Sequence, residues 1–280
     1  MSKKETSLAA APKRPPVWRA YVLPLLGGTL SMLVALLAFQ KTESFLLRDP
    51  RFSLRPAEPG FTGSPDLRIT GLSRTPAAQV RNVFARDEGG SVFQIPLGER
   101  RDELMRIQWV RQASVSRLWP NRIDVRVVER VPQAFIRLPG RRHGGGSISA
   151  LIDMDGVILP APETKGHYDL PVLDGVREDQ TTAERAARVQ RMRQLLGELK
   201  ETAEKVSEID AADLSNLKVT LQVEDRVVML LVGDEQFGKR VGRFMQHWGE
   251  IIRRAPNAHL FDLRLEDRIT AVEEGSREGE

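Results

Sequence analysis

Hydrophobic and polar positions divide the chain into one long apolar run and a series of short alternating segments. Residues 20–39 contain no charged side chain, and a helix of that length spans roughly 30 Å, the thickness of a bilayer core. We therefore predict a transmembrane helix at residues 20–40, between a basic tail (1–19) and a linker (41–65) rich in proline and glycine. A cleaved signal peptide is the alternative, but the run is long and no small-x-small cleavage site precedes the polar segment.

Two strands joined by a turn give the clearest pattern after this run, between Trp109 and Pro132. Hydrophobic and polar residues alternate on both sides of Trp119-Pro120-Asn121, so each strand buries one face. Upstream, residues 67–72 predict a strand, and two short amphipathic helices follow it. The inward positions predicted for these helices are Val80, Val83 and Phe84 in the first, and Leu97, Leu104 and Met105 in the second. The order β-α-α-β-β predicts one small core, with Val115, Ile123, Val125 and Phe84 among its members.

The rest of the chain predicts strands and two longer amphipathic helices. The helices are expected at residues 182–200 and 237–254, where apolar residues recur with helical spacing. The predicted strands are 135–138, 150–152, 157–159, 170–173, 206–209, 217–223, 227–232, 260–265 and 269–272. We predict an α+β fold with a small domain at 66–134, a mixed β-sheet domain with two amphipathic helices at 135–272, and an acidic tail at 273–280.

The order of residues in the first strand pair resembles the second half of a POTRA domain, specifically that of the bacterial cell-division family FtsQ/DivIB. The positions that carry this resemblance are Trp109-Val110, Ala113, Val115, Arg117, Trp119-Pro120, Ile123, Val125, Val127, Glu129-Arg130, Pro132 and Ala134. Residues 152–157, 237–248 and 261–264 resemble the β domain of the same family more loosely. The final strand departs from the family pattern, because it lacks aromatic residues near its end.

The resemblance implies a scaffold of the divisome that is not an enzyme. Such proteins bind FtsB-like and FtsL-like bitopic division proteins near the end of the β domain. Through them they help to regulate septal peptidoglycan synthesis by FtsW and FtsI. The POTRA domain and the transmembrane helix of such proteins contribute to recruitment to the division septum.

Backbone chemistry indicates where a partner would bind, since a strand at a sheet edge can pair with an extended segment of another chain. A C-terminal strand is often left at an edge, so we predict partner binding by the last strands. The predicted partner-binding residues are Leu260, Phe261, Asp262, Leu263, Arg264, Leu265, Ile269, Thr270, Ala271 and Val272.

Charge predicts the orientation and argues against nucleic acid as a ligand. The net charge of +4 is already reached within residues 1–20, so the remaining chain is neutral. The positive-inside rule then keeps the N-terminus in the cytoplasm and places the rest of a single-pass, type II protein of the inner membrane in the periplasm. Eleven arginines between Arg100 and Arg142 predict a solvated face, or alternatively a surface for an acidic partner or anionic lipid.

Two other functions remain open from the sequence. Residues 151–159 (LIDMDGVIL) resemble the nucleophile motif of haloacid-dehalogenase phosphatases, with Asp153 as nucleophile, Asp155 as acid/base and Mg²⁺ near Asp234. However, Gly238 stands where a further acidic residue is needed, and the strands do not alternate with helices. A component of outer-membrane protein assembly would need repeated POTRA units, and only one fits. We predict no catalytic residue, cofactor or metal site, and the absence of cysteine excludes disulfides.

Overall fold

The computed structural model describes residues 17–58, 63–139, 147–160 and 168–272. The chain forms two compact units. The first contains the described residues up to Thr70 together with Ala77–Glu103 and Ser114–Arg126. The second contains Gly71–Pro76, Leu104–Ala113 and the described residues from Val127 onward. The predicted acidic tail and most of the predicted basic tail lie outside the described residues.

The first helix, α1, extends from Val17 to Arg48. Its segment Pro24–Leu47 is long and apolar enough to cross a membrane. The helix continues past Lys41, because its backbone hydrogen bonds do not depend on one charged side chain.

The N-terminal sheet follows the predicted order β-α-α-β-β. Its elements are β1 (Leu67–Thr70), α2 (Ala77–Val83), α3 (Leu97–Met105), β2 (Val110–Leu118) and β3 (Arg122–Glu129). The strands lie in the order β1-β3-β2, with β1 parallel to β3. Of the predicted core residues, Phe84, Ile123 and Val125 are buried, whereas Val115 is only half-buried.

The buried face of α3 differs from the prediction. Met105 was expected to point inward, but its side chain is 40% exposed. Arg100 is buried instead, and its guanidinium donates to both carboxylate oxygens of Asp87 at 2.6 and 2.8 Å. Helical spacing alone places either residue inward, and a charged residue is buried only where a partner compensates its lost hydration. That partner comes from a neighbouring turn, which the periodicity of α3 does not reveal.

The second unit contains a mixed sheet and two helices, α4 (Thr182–Leu199) and α5 (Phe237–Arg254). The strands are β4 (Pro132–Pro139), β5 (Ser147–Asp153), β6 (Ile158–Pro160), β7 (Val172–Asp174), β8 (Val206–Asp210), β9 (Leu217–Val223), β10 (Arg226–Gly233), β11 (Leu260–Asp262) and β12 (Thr270–Val272). They lie in the order β12-β11-β10-β9-β8-β7-β4-β5-β6. Apolar residues of both helices and of the inward sheet positions form one core.

Local sequence signals explain both helix positions. Thr181 caps the start of α4, because its hydroxyl accepts from the backbone N–H of Glu184, whose carboxylate accepts from the N–H of Thr181 in return. In α5 the residues Val241, Phe244 and Trp248 are buried as predicted, and the helix has the predicted bounds. A stripe of this spacing determines both the helix and the face that it buries.

Glu129, at the end of β3, fixes the segment that follows β1. Its carboxylate accepts backbone N–H groups of Ser73, Arg74 and Thr75 at 2.7–3.0 Å. Gly71 starts this segment with φ +88°, and an added Cβ would lie 1.9 Å from the carbonyl oxygen of Val127. Burial opposes ionisation of Glu129, but the backbone hydrogen bonds outweigh it and hold its pKa below the usual 4.5.

We expect Glu129→Gln to lower the free energy of unfolding by about 1–3 kcal/mol at pH 7, because one of the two acceptor oxygens becomes an NH2 group and the remaining hydrogen bonds are no longer made to a charged acceptor. A carboxylate with a lowered folded pKa stabilises above its unfolded pKa, and that contribution is lost as the pH falls through the folded pKa. The difference between wild type and variant should therefore shrink below about pH 4. Urea unfolding of the full chain in detergent at several pH values measures this difference, with Glu201→Gln, at an exposed position, as the matched control. An equal difference at pH 7 and pH 3 would contradict the assignment.

Candidate interaction edge of the second sheet

The predicted partner strands occupy different positions in the sheet. β11 lies between β10, to which it is parallel, and β12, to which it is antiparallel. Of the last strands predicted to offer an edge, β11 (Leu260–Asp262) is therefore an interior strand, and residues 263–265 are not part of a strand. A parallel neighbour requires a crossover, and α5 supplies it by returning the chain beside β10. Among the described residues, β12 pairs on one side only, so it forms that end of the sheet.

The backbone of β12 has a defined outward side. The N–H of Met229 donates to the carbonyl of His259, and the N–H of Leu263 donates to that of Leu231. Since alternate residues of a strand direct their backbone groups to the same side, Phe261 also faces β10, and its neighbours Leu260 and Asp262 face β12. Their partners are Val272 and Thr270. Ala271, opposite Phe261, therefore directs its N–H and C=O away from the sheet.

The ten predicted partner-binding residues differ in accessibility. Phe261 and Leu263 are fully buried, and the ring of Phe261 lies 5.1 Å from that of Phe244 and 6.3 Å from that of Trp248. These two residues hold β11 on the core and cannot contact another protein. The exposed ones are Arg264, Leu265 and Thr270; Leu260, Asp262, Ile269 and Ala271 are partly buried, and the side chain of Val272 lies outside the described residues.

Arg264 has a partner within the chain. Its guanidinium donates to the carboxylate of Asp262 at 2.6–3.1 Å, and this hydrogen bonding holds the pKa of Asp262 below its usual 3.8. The pair fixes the chain where it leaves β11. Arg264 can meet another protein only at the cost of this ion pair or as a pair with Asp262.

A groove of about 420 Å³ lies between α5 and β12. Its apolar lining includes Ile251 of α5 together with Ile269 and Ala271, and its rim includes Arg243 and His247. Arg243 also donates to the carbonyl of Leu265 at 2.7 Å and to that of Glu266, so α5 fixes the connection between β11 and β12. The α5 side of this site was missed from the sequence. The one signal for it in the sequence is that Arg243 and His247 are one helical turn apart and lie beside the buried stripe of α5.

The structure does not bring the phosphatase residues together. Asp153 is 1% exposed, and its carboxylate accepts from Arg130 at 2.6 Å and from the N–H groups of Asp155 and Val157. Four strands separate β5, which ends at Asp153, from β10, which precedes Asp234. At about 4.8 Å per strand the two carboxylates are roughly 24 Å apart. Asp153 therefore stabilises a hairpin turn, and no group of His, Cys, Asp or Glu suited to a metal occurs among the described residues.

Most of the arginines in the predicted basic face contact acceptors of the chain itself. Arg117 donates to the carbonyls of Val92 and Ile95, and Arg111 pairs with Asp155. Arg100, Arg126, Arg130 and Arg137 also pair with carboxylates. These arginines are engaged in hydrogen bonds and ion pairs within the chain. The interpretation of residues 100–142 as one continuous ligand surface is therefore weakened.

The comparisons with known proteins address the family. The family described as "POTRA domain, FtsQ-type" matches residues 65–130, and "Cell division protein FtsQ/DivIB, C-terminal" matches residues 141–264. The chain belongs to the FtsQ/DivIB family of cell-division proteins. The two matches together cover most of the chain and agree with the α+β fold described above.

Three relatives named "Cell division protein FtsQ" show how far the similarity extends. The one from Koribacter versatilis is 30% identical over 74% of this chain and 59% of its own length. The relative from Nitrosospira multiformis is 31% identical over 63% of this chain and 66% of its own length. The relative from Novosphingobium aromaticivorans is 27% identical over 76% of this chain and 62% of its own length. The chain thus spans about three fifths to two thirds of the length of these relatives.

We expect Asp153→Asn to lower the free energy of unfolding by about 3–5 kcal/mol, because it leaves the largely buried guanidinium of Arg130 without its closest counter-charge. Asp155→Asn, at a residue 38% exposed, should cost at most about 1 kcal/mol. Denaturant unfolding of both variants measures the difference. An Asp153→Asn variant as stable as the wild type would show that Asp153 has no structural role.

Proposed function

We propose that this protein is a scaffold of the divisome without enzymatic activity. In this proposal it binds FtsB-like and FtsL-like bitopic division proteins through the second unit. Through them it acts indirectly on FtsW and FtsI and helps to regulate septal peptidoglycan synthesis. Membership in the FtsQ/DivIB family supports the cell-division role, and the edge described above supports the mode of binding.

The same proposal includes a location and a division of labour. The N-terminus lies in the cytoplasm, a single span anchors the protein in the inner membrane, and the domains that follow the span lie in the periplasm at the division septum. The apolar segment Pro24–Leu47 supports the anchor, and the cations that precede it support the orientation. We propose a POTRA domain at 66–134 and a β domain at 135–272 as the working units.

The outward N–H and C=O of Ala271 carry the proposal for partner binding. An extended segment of a partner that pairs with β12 would continue the sheet and gain backbone hydrogen bonds without needing a particular side chain. The groove beside β12 would then select among candidates, because the partner's inward side chains must fit between Ile251 and Ile269. The rim contains charges of both signs, Arg268 beside Asp267 and Arg254 beside Glu250.

We expect Ala271→Pro to abolish, or reduce by at least about tenfold, the affinity for an FtsB-like partner. Proline removes the outward donor, and it is tolerated at a sheet edge because no internal ladder bond is lost. Ala271→Ser keeps the N–H with a similar volume and serves as the matched control. Ile269→Pro removes the N–H of the residue just before β12 and should act in the same direction.

Co-purification from a membrane fraction and titration with the partner's periplasmic segment measure this effect. The thermal unfolding midpoint of each variant shows that the sheet is intact. Undiminished binding by a folded Ala271→Pro variant would rule out strand addition at β12.

A further inference from the structure

An exposed aromatic cluster lies at the end of α1, within the first unit. Phe52 is 5% exposed, and its ring contacts those of Phe45 at 5.5 Å, Phe93 at 5.7 Å and Trp119 at 6.1 Å. The three outer rings are 47%, 38% and 78% exposed in that order. The neighbouring residue of Trp119, Leu118, is 43% exposed. We call Phe45, Phe93, Leu118 and Trp119 the aromatic collar.

Hydrogen bonds join the collar to the helix that would cross the membrane. The hydroxyl of Ser91 donates to the carbonyl of Leu46, near the end of α1, at 2.8 Å. The N–H of Val92 donates to the carbonyl of Phe52, and the N–H of Leu54 to that of Gly90, both at 2.9 Å. These bonds connect the segment before Phe93 to the residues that follow α1. The collar therefore keeps its position relative to the end of the helix.

The position of Phe45 determines what surrounds the collar. Phe45 belongs to the apolar segment Pro24–Leu47, three residues from the end of α1. The charge-free run ends at Gln40, so Phe45 lies five residues, roughly 7–8 Å along the helix, beyond the hydrocarbon core, at the level of the headgroup layer, which adds roughly 5–8 Å on each side. The ring of Phe52 contacts Phe45 on one side and Phe93 and Trp119 on the other. Phe93 and Trp119 are therefore separated from Phe45 by a single ring, which places them within reach of this layer.

The chemistry of the collar matches that layer. Tryptophan is enriched at membrane interfaces because its ring is apolar while its N–H remains hydrated. The guanidinium of Arg51 lies 5.9 Å from the centre of the Phe45 ring and is 78% exposed, so it can meet lipid phosphates although it also pairs with Asp49. A contiguous exposed apolar patch of this kind marks an interaction site rather than an ordinary soluble surface.

We propose that the aromatic collar lies in the lipid headgroup layer of the leaflet from which α1 emerges, and that it fixes the first unit on the membrane surface. The occupant is lipid rather than protein, because the patch is continuous with the spanning segment itself. This inference rests on the membrane anchor proposed above. The anchor fixes only the distance of the first unit from the membrane, whereas the collar would fix which side of it faces the lipid.

Tryptophan fluorescence of the full chain in lipid vesicles tests the proposal. Trp109 and Trp248 are buried, at 8% and 6% exposure, so a Trp18→Phe background leaves Trp119 as the one tryptophan that is exposed in the described part of the chain. We expect phospholipids brominated near the carbonyl groups to quench a component of the emission that disappears in Trp119→Phe. Aqueous iodide should leave this component largely unquenched.

Two results would overturn the proposal. Quenching of Trp119 by iodide but not by brominated lipid would place the collar in water. Protection from both quenchers would mean that protein covers it, in this purified system a second copy of the chain.

Nitroxide labels provide an independent measurement and separate the collar from the anchor. The chain has no native cysteine, so Phe93→Cys and Leu36→Cys each create a single labelling site. A label at Leu36, within the span, reports the anchor, and Arg101→Cys, at an exposed residue of α3, is the control. We expect the label at 93 to be more accessible to oxygen and less accessible to a water-soluble nickel complex than the label at 101.

The two labels distinguish two failures. A buried label at 36 with the label at 93 as hydrated as that at 101 would refute the collar and leave the anchor intact. A hydrated label at 36 would refute the anchor and the collar with it.

Discussion

The packing of Phe261 on α5 determines where the second sheet ends. Its ring contacts those of Phe244 and Trp248, and burial of an aromatic side chain of this size contributes about 2–3 kcal/mol. This contact seats β11 beside β10, and the short return of the chain places β12 outside β11. The outward backbone of Ala271 and the groove below it both follow from that position. The candidate edge is therefore a consequence of core packing rather than of any residue within β12.

Local patterns predicted much of this fold, and the failures have a common physical cause. The bounds and the buried face of α5 follow from its apolar spacing, and the turn after Asp153 follows from Asp-Gly. The place of β11 between two strands could not be predicted, because strand neighbours depend on where a crossover helix returns the chain. The prediction that Met105 rather than Arg100 is buried failed for the same reason, since the partner of Arg100, Asp87, lies in another element. For the candidate edge, the sequence predicted that the last strands bind a partner, but it did not predict the residues of α5 that line the other side of the groove.

Buried charges show how a motif that resembles an active site can be structural. Asp153 has the sequence context of a nucleophile, yet its oxygens accept from Arg130 and from two backbone N–H groups of the turn. Glu129 is similarly occupied by the segment after Gly71. A carboxylate whose acceptor sites are mostly occupied by the chain has little capacity left for a substrate or a metal ion. Both carboxylates orient backbone N–H groups of nearby turns. The candidate edge likewise consists of backbone groups rather than reactive side chains.

The proposed recognition through backbone groups would require little of the side chains at the edge. An edge strand needs N–H and C=O groups at a spacing set by the neighbouring strand, and most side chains can supply that backbone. The match to the C-terminal domain of the family ends at residue 264, before β12 begins at Thr270. A strand whose role depends on pairing geometry can vary in sequence as long as Phe261 and α5 keep its neighbour in place. The position of such an edge is set mainly by the core that holds its neighbouring strand.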